Sequence, residues 1–163
     1  MSVQKVKYKN VILFFCQQLG GELRGKKKLA KLLYFLDFDF YEWHDVSITN
    51  DVYKALPMGP YPSHLSDMIS EMTDEKLLFA KTEKVHAGYL ATEIYTNKFE
   101  PDLKVFSKDE IKMLERVVSH YGHLNGKQLE DLSHAEAPYV GTEPSKEIAY
   151  ELSYYRGTDF ADL

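Results

Sequence analysis

Cysteine is nearly absent from this chain, because Cys16 is the only one. A single thiol cannot form an intrachain disulfide or a multi-cysteine zinc site, and this usage favours a reducing compartment. Cys16 lies one helical turn after Ile12, so we interpret it as an inert core thiol. Long apolar runs are also missing: VILFFC, near the N-terminus, is too short for a signal peptide or a membrane span. We therefore expect a cytoplasmic protein with no membrane partner.

Motifs of common enzyme classes are missing as well. The chain has no G-x-S-x-G elbow and no glycine-rich phosphate loop. Ser133, His134 and Glu136 offer the residue types of a hydrolase triad, but neighbouring helical residues do not face each other. We interpret Ser133 and His134 as closing a helix, with His134 donating a structural hydrogen bond. His120 and His123 could share a helix face as metal ligands, but a helix stop lies between them. We expect no catalytic centre, metal or cofactor.

Charge is plentiful but unevenly distributed. The 163 residues are 44% hydrophobic and 28% charged, which is ordinary for one globular domain covering residues 1–163. Residues 1–31 carry eight Lys or Arg and one Glu, whereas residues 32–163 carry twelve basic and twenty-four acidic residues. The N-terminal part is therefore basic and the remainder acidic.

Apolar periodicity predicts two long helices in the first part of the chain. Residues 5–19 form the first, which Gly20-Gly21 should stop, and residues 26–44 form the second. The second helix has two apolar stripes: Leu29, Leu32, Leu33, Leu36 and Phe40 on one, and Ala30, Tyr34, Phe38 and Tyr41 on the other. Because both stripes need cover, from the domain itself or from a partner, we place this helix at the centre.

Capping signals predict three further helices. Ser63 is a reasonable N-cap for a helix over about 64–75. Residues 107–110 form a capping-box pattern that opens a fourth helix, and Asn125 starts a short fifth helix that reaches about His134.

Other segments alternate in polarity. Residues 76–96 read as a two-stranded hairpin around a turn at residues 86–88, with Tyr89 and Leu90 on opposite faces, whereas residues 145–156 fit a helix or a strand. The predicted fold is α+β and predominantly α-helical, with a central apolar helix packed by about four others plus a small antiparallel β-hairpin.

Three prolines and a glycine punctuate the segment DVYKALPMGPYPSHL, residues 51–65. Each proline fixes φ and pushes the preceding residue toward an extended geometry, so we expect a stiff loop over residues 53–62. Stiff backbone loses little entropy on binding, so Leu56, Met58 and Tyr61 could contact a partner or pack inward. Gly59 should supply a turn conformation or a close backbone approach.

Asp37 lies within the apolar second helix. Since a buried carboxylate is costly without several donors, we interpret it as a clamp. It would accept hydrogen bonds from backbone amides of residues 47–60, or from the Tyr53 hydroxyl, and hold the proline segment on the helix. The alternative is a general acid or base with a raised pKa.

Basic residues cluster before and within the first turns of the second helix, at Arg24, Lys26, Lys27, Lys28 and Lys31. Cations there oppose the helix macrodipole, so they form either a solvated face offset by the domain's own acids or a surface for DNA or an acidic partner. The third helix and the following hairpin have the outline of a winged helix, but that helix is acidic and phosphates would repel it. Nucleic acid is therefore not the favoured partner.

Three motifs resemble the Panacea domain of the SocA-like antitoxin family, which also includes proteins labelled phage-associated. They are KLLYF-x-D at residues 31–37, Y-x-A-x-x-x-G-P at residues 53–60, and L-S-H-x-E-x-P plus an aromatic residue at residues 132–139. The resemblance spans about residues 8–140 and leaves a C-terminal tail, residues 141–163. Family members more typically have tryptophan at the position of Tyr139.

This resemblance implies an α-rich domain with a small sheet, no established catalytic centre and an antitoxin role. Such proteins neutralise a co-encoded toxin by direct binding, or deliver it to a Clp-type protease. We therefore expect a non-enzymatic antitoxin with a toxin encoded nearby, and a winged-helix-like DNA-binding regulator is the alternative. Residues expected to bind the partner or hold the loop are Asp37, Tyr53, Ala55, Leu56, Met58, Gly59, Pro60, Tyr61, His134, Glu136, Pro138 and Tyr139.

Overall fold

The computed structural model describes residues 2–84 and 91–163. Its helices are α1 (Lys5–Gln18), α2 (Lys26–His44), α3 (Leu65–Asp74), α4 (Lys108–Tyr121), α5 (Gly126–His134) and α6 (Ala137–Val140), with 3₁₀ helices at Leu103–Val105 and Tyr150–Tyr155. Its strands are β1 (Glu22–Arg24), β2 (Tyr53–Leu56), β3 (Gly59–Pro62), β4 (Leu78–Glu83) and β5 (Thr92–Asn97). Helices dominate this α+β fold, as predicted.

Helix α2 runs through the core, and every residue from 29 to 40 is buried. Helices α4 and α5, the Tyr150–Tyr155 helix and strand β3 pack around it. Phe35 stacks on Tyr121 of α4 with ring centroids 4.1 Å apart, while Phe38 contacts Tyr150 of the C-terminal tail at 4.6 Å. As far as Phe40, both apolar stripes are therefore covered by the chain itself, so this part of α2 can support a docking surface but does not form one.

A three-stranded antiparallel sheet lies beside α1 and α3, with strand order β1-β5-β4. Strands β4 and β5 are the predicted hairpin, although its predicted turn at residues 86–88, together with Tyr89 and Leu90, lies outside the described residues. Strand β1 was not predicted, because three residues are too few to show a period. It joins the sheet by pairing with β5.

The starts of α4 and α5 are capped by residues of their own first turn, whereas the start of α3 is capped by a residue farther away in the sequence. Helices α4 and α5 begin with capping boxes that pair Ser107 with Glu110 and Asn125 with Gln128. The prediction that Ser63 caps α3 was wrong, since no side-chain cap bond is present there among the described residues. The backbone N–H of His64 instead donates to both carboxylate oxygens of Asp51 at 3.2 Å.

The proline segment, which was predicted to be a stiff loop, is a β-hairpin. Strand β2 pairs with β3 on one side, and its other edge pairs with tail residues 145–148. There Ala55 N–H donates to Lys146 O at 2.9 Å and Ile148 N–H donates to Tyr53 O at 2.8 Å. The prolines of β3 lie on an outer strand, where a missing N–H leaves no gap in a central ladder. The ambiguous segment 145–156 is thus extended first and 3₁₀-helical afterwards.

Candidate partner-binding site

Asp37 of α2 is fully buried and accepts four hydrogen bonds from the segment that follows the helix. Its Oδ1 accepts from the backbone N–H groups of Ile48 and Thr49, both at 2.9 Å. Its Oδ2 accepts from the hydroxyls of Thr49 at 2.5 Å and Tyr53 at 2.6 Å. Burial raises the pKa of Asp37 to about 6, and the bonds from Thr49, Tyr53 and Ile48 oppose that rise. These are the kinds of hydrogen bond expected from the sequence, and they suit a clamp better than an acid or base that reacts with a substrate.

Asp51 is a second buried anchor, which the sequence reasoning missed. Its carboxylate accepts from the hydroxyl of Tyr8 in α1 at 2.7 Å and lies 2.7 Å from Nδ1 of His64. Its carbonyl oxygen accepts from the hydroxyl of Tyr150 at 2.5 Å. Asp51 therefore connects the start of the hairpin to α1, to the beginning of α3 and to the tail.

Gly59 lies in the hairpin turn region with a φ of +107°, which favours glycine. A Cβ at this position would lie 2.9 Å from Cε of Lys31 and 3.0 Å from Oγ of Ser133. The ammonium group of Lys31, itself buried, donates to Pro60 O at 2.9 Å, and burial lowers the pKa of Lys31 to about 8. Gly59 thus has both the turn conformation and the close approach considered from the sequence.

The third sequence motif contacts the other two. The Tyr139 hydroxyl donates to Leu56 O at 2.7 Å, and Glu136 accepts from the Tyr34 hydroxyl at 2.7 Å. The ring of His134 stacks on that of Tyr139 at 4.6 Å. Nε2 of His134 does not donate the hydrogen bond expected from the sequence, because this atom is buried without a partner in the part of the chain that the structure describes. Stacking on the aromatic ring holds this histidine instead.

Arg156 organises a charge network that the sequence reasoning also missed. Its guanidinium lies 2.5 Å from Asp39, 2.8 Å from Glu42 and 3.0 Å from Glu136. Burial raises the pKa of Asp39 to about 6, and the positive charge of Arg156 opposes that rise. Asp39, which also lies in the apolar part of α2, was a sequence signal for a buried acid with a cationic partner. The tail carried no motif that identified Arg156 as that partner.

The predicted site residues divide by exposure. Asp37, Tyr53, Ala55, Gly59, Pro60 and Pro138 are buried, whereas Leu56, Tyr61, His134, Glu136 and Tyr139 are partly exposed. Met58 is 56% exposed at the hairpin tip, and the neighbouring elements α5, α6 and the tail expose Leu132 (45%), Val140 (69%) and Tyr155 (79%). We name these four residues the apolar tip surface.

A comparison with known protein families matches the part of the chain that contains the three motifs. The family model described as antitoxin SocA-like, Panacea domain, matches residues 29–139, which begin in the first turn of α2 and reach into α6. This chain belongs to that family. No curated protein and no solved structure matches the chain. All three motifs lie inside the matched region of this Panacea domain. There Tyr53 joins the second motif to Asp37 of the first, and Tyr139 joins the third motif to the hairpin. The family indicates an antitoxin role and suggests a non-enzymatic one.

The basic residues of this Panacea domain do not form one open patch. Lys31 is buried, so its assignment to an exposed patch was wrong. Each of the others has a partner: Arg24 lies 3.1 Å from Glu83, Lys27 lies 2.9 Å from Glu130, Lys26 donates to Ser66 at 2.6 Å, and Lys28 donates to Gly122 O at 2.6 Å. The domain's own acids therefore offset the charges of Arg24 and Lys27, whereas Lys26 and Lys28 donate to neutral acceptors.

The side chains considered from the sequence as reactive or metal-binding groups have structural surroundings. Within residues 2–84 and 91–163, no three His, Cys, Asp or Glu side chains group closely enough to hold a metal ion. The Ser133 hydroxyl donates to Glu130 O at 2.9 Å, and burial raises the pKa of Cys16 to about 12. His120 lies 2.8 Å from Asp162, which ties α4 to the tail. Over the same ranges, no helix has the length and apolarity to cross a bilayer.

Proposed function

We propose that this Panacea domain is a cytoplasmic antitoxin that neutralises a toxin encoded nearby through direct protein-protein binding, without enzymatic activity. The family match over residues 29–139 carries this proposal. In the simplest mechanism the domain masks the toxin by binding it. In the alternative mechanism it delivers the bound toxin to a Clp-type protease.

The hairpin supports a binding role because it is rigid before any partner arrives. Asp37 holds its beginning, Lys31 holds Pro60 and Tyr139 holds Leu56, so little backbone entropy remains to be lost. Among the elements that carry the apolar tip surface, α5 packs against β3, and α6 packs against α5 and the 3₁₀ helix of the tail. Exposed apolar side chains on rigid neighbouring elements suit a protein interface.

Co-expression with the neighbouring gene tests this function. The neighbouring product should arrest growth alone, and growth should recover when the Panacea domain is induced. Recovery in a host that lacks Clp proteases indicates masking, whereas recovery only in their presence indicates delivery. Failure of recovery in both hosts, with both proteins present as soluble products, would contradict the proposal.

A DNA-binding regulator is the second candidate, because the fold contains the outline of a winged helix. Helix α3 precedes the β4–β5 hairpin, and β1 completes its sheet. The exposed Asp67 and Asp74 of α3 oppose this function, since phosphates repel them. A salt-sensitive shift of promoter DNA that Arg24→Glu/Lys26→Glu abolishes would favour it, whereas unchanged toxin neutralisation by that variant would favour the antitoxin.

A further inference from the structure

A cleft of about 570 Å³ opens between the end of α2, the loop after it and the tail. Its lining includes Tyr41 and Asp45 from α2 and its end, and Glu147, Tyr150 and Glu151 from the tail. We name these five residues the acidic cleft. The rest of the lining is mixed: it contains the apolar residues Val46, Val52 and Ile148 and the polar residues Gln4, Ser47, Asn50 and Asp51.

The charges of the acidic cleft are of one sign. No Lys, Arg or His belongs to its described lining. Asp45 accepts from the Tyr154 hydroxyl and Glu151 accepts from the Tyr41 hydroxyl at 3.1 Å, so both use neutral donors. Among the described side chains, no ion pair within 4.0 Å involves Asp45, Glu147 or Glu151, although Lys54 lies opposite Glu147 in the backbone pairing. This differs from Asp39 and Glu42, which form ion pairs with Arg156.

Two tyrosines form a preorganised aromatic wall. The rings of Tyr41 and Tyr150 stack with centroids 5.3 Å apart and an interplanar angle of 20°. Tyr150 is fixed by its hydrogen bond to Asp51 O and by contact with Phe38, and the adjoining tail is fixed by its pairing with β2. The wall therefore needs little ordering when a ligand arrives.

We propose that the acidic cleft binds a basic segment of the toxin partner through an arginine side chain. A guanidinium forms paired hydrogen bonds with carboxylates and stacks on aromatic faces, so the carboxylates that have no cationic partner among the described residues and the tyrosine wall complement it in charge and in shape. The cleft adjoins the start of β2, where Ile148 of the tail pairs with Tyr53. Val46, Val52 and Ile148 in its lining suit apolar residues that flank the arginine. This inference rests on the proposed antitoxin function for the identity of the partner, but the arginine preference can be tested without it.

A labelled tetra-arginine peptide tests the preference with purified full-length protein. Fluorescence anisotropy should show binding that weakens with salt, and Glu147→Gln/Glu151→Gln should weaken it about tenfold. Asp67→Asn/Asp74→Asn is the matched control, because it removes the same charge from exposed positions on α3 and should change the affinity by less than about twofold. Equal losses in the two variants, or no loss in the first, would overturn the proposal.

Neutralisation assays separate this inference from the proposed function. Glu147→Lys/Glu151→Lys should fail to neutralise the toxin while it retains the wild-type thermal melting temperature. If the wild type and this variant neutralise equally, the cleft proposal fails and the antitoxin function stands. If the wild type does not neutralise, the antitoxin function fails, while the peptide experiment still decides whether the cleft prefers arginine.

Discussion

Two buried side chains of opposite charge hold the hairpin on α2, and each does so in its own way. Asp37 accepts four hydrogen bonds, whereas Lys31 donates to one backbone carbonyl. A charge taken out of water needs such partners, because a buried group that loses them retains the full cost of desolvation. The stability of the hairpin should therefore respond to substitutions at both positions.

Asp37→Asn should destabilise the fold by about 2–4 kcal/mol, because an amide nitrogen would replace an acceptor that faces the donor hydroxyls of Thr49 and Tyr53. Tyr53→Phe should cost about 1–2 kcal/mol, since it removes one donor and leaves three. Tyr41→Phe, at the partly exposed position on the same helix, should cost less than about 0.5 kcal/mol. Urea denaturation measures all three, and a cost for Asp37→Asn as small as that for Tyr41→Phe would show that there is no clamp.

Lys31 should give the fold a specific pH dependence. Its pKa lies at about 8 in the folded protein and at 10.5 in an exposed lysine, so between these values the unfolded chain binds more protons than the folded one. Stability relative to Lys31→Met should therefore rise by about 3 kcal/mol from pH 8 to pH 10.5 and stay level from pH 8 down to pH 6. Denaturation of both proteins across this range checks the difference, and a flat difference above pH 8 would contradict burial of the ammonium group.

At the scale of elements, the hairpin depends on close packing at its turn. Gly59→Ala would place a methyl group within 3.1 Å of Lys31 and Ser133 and would also strain a φ of +107°. Gly21→Ala is the control, because its φ is +92° but nothing lies within 4 Å of the added Cβ. Thermal unfolding should show a loss for Gly59→Ala that is larger by about 1–3 kcal/mol, the usual cost of overpacking. Equal losses would mean that the turn is loosely packed.

The elements predicted well from the sequence are those whose signals are local. The apolar period gave the bounds of α2, and Ser107 and Asn125 marked the starts of α4 and α5 within their own first turns. The misses have distant partners: Asp51 caps α3 from thirteen residues away, and Arg156 contacts Glu42 across 114 residues. Strands β2 and β3 were missed because prolines usually argue against strands, and the outer position that tolerates them is a tertiary feature.

At the scale of the whole molecule, the tail completes the domain. It adds an extended segment to β2, covers Phe38 with Tyr150 and pairs Arg156 with Asp39 and Glu42 of α2. Asp37 thus connects α2 to the hairpin and the loop before it, whereas Asp39 connects the same helix to the tail. The candidate site could be predicted as far as Asp37 and its hydrogen bonds, but the acidic cleft required knowing where the tail returns.

Arg156→Met should destabilise the protein by about 3–5 kcal/mol, because it removes the ion-pair partner of the buried Glu42 carboxylate and leaves Asp39 paired with Arg116 at 3.2 Å. The loss should shrink at pH 5, since protonation of Asp39, whose pKa lies near 6, removes part of the uncompensated charge. Arg24→Met, at an exposed position, is the control and should cost less than about 1 kcal/mol. Guanidinium denaturation at pH 7.5 and pH 5 checks both, and equal costs at pH 7.5 would contradict the network.

The affinity of the purified protein for the neighbouring toxin, measured calorimetrically without any protease, tests the central claim that the clamped hairpin presents a docking surface. Met58→Asp at the exposed tip should weaken binding by at least about tenfold, while Val6→Asp, at an exposed position of α1 outside the family match, should change it by less than about twofold. Absence of a complex with the wild type, or equal affinities of the two variants, would contradict the account.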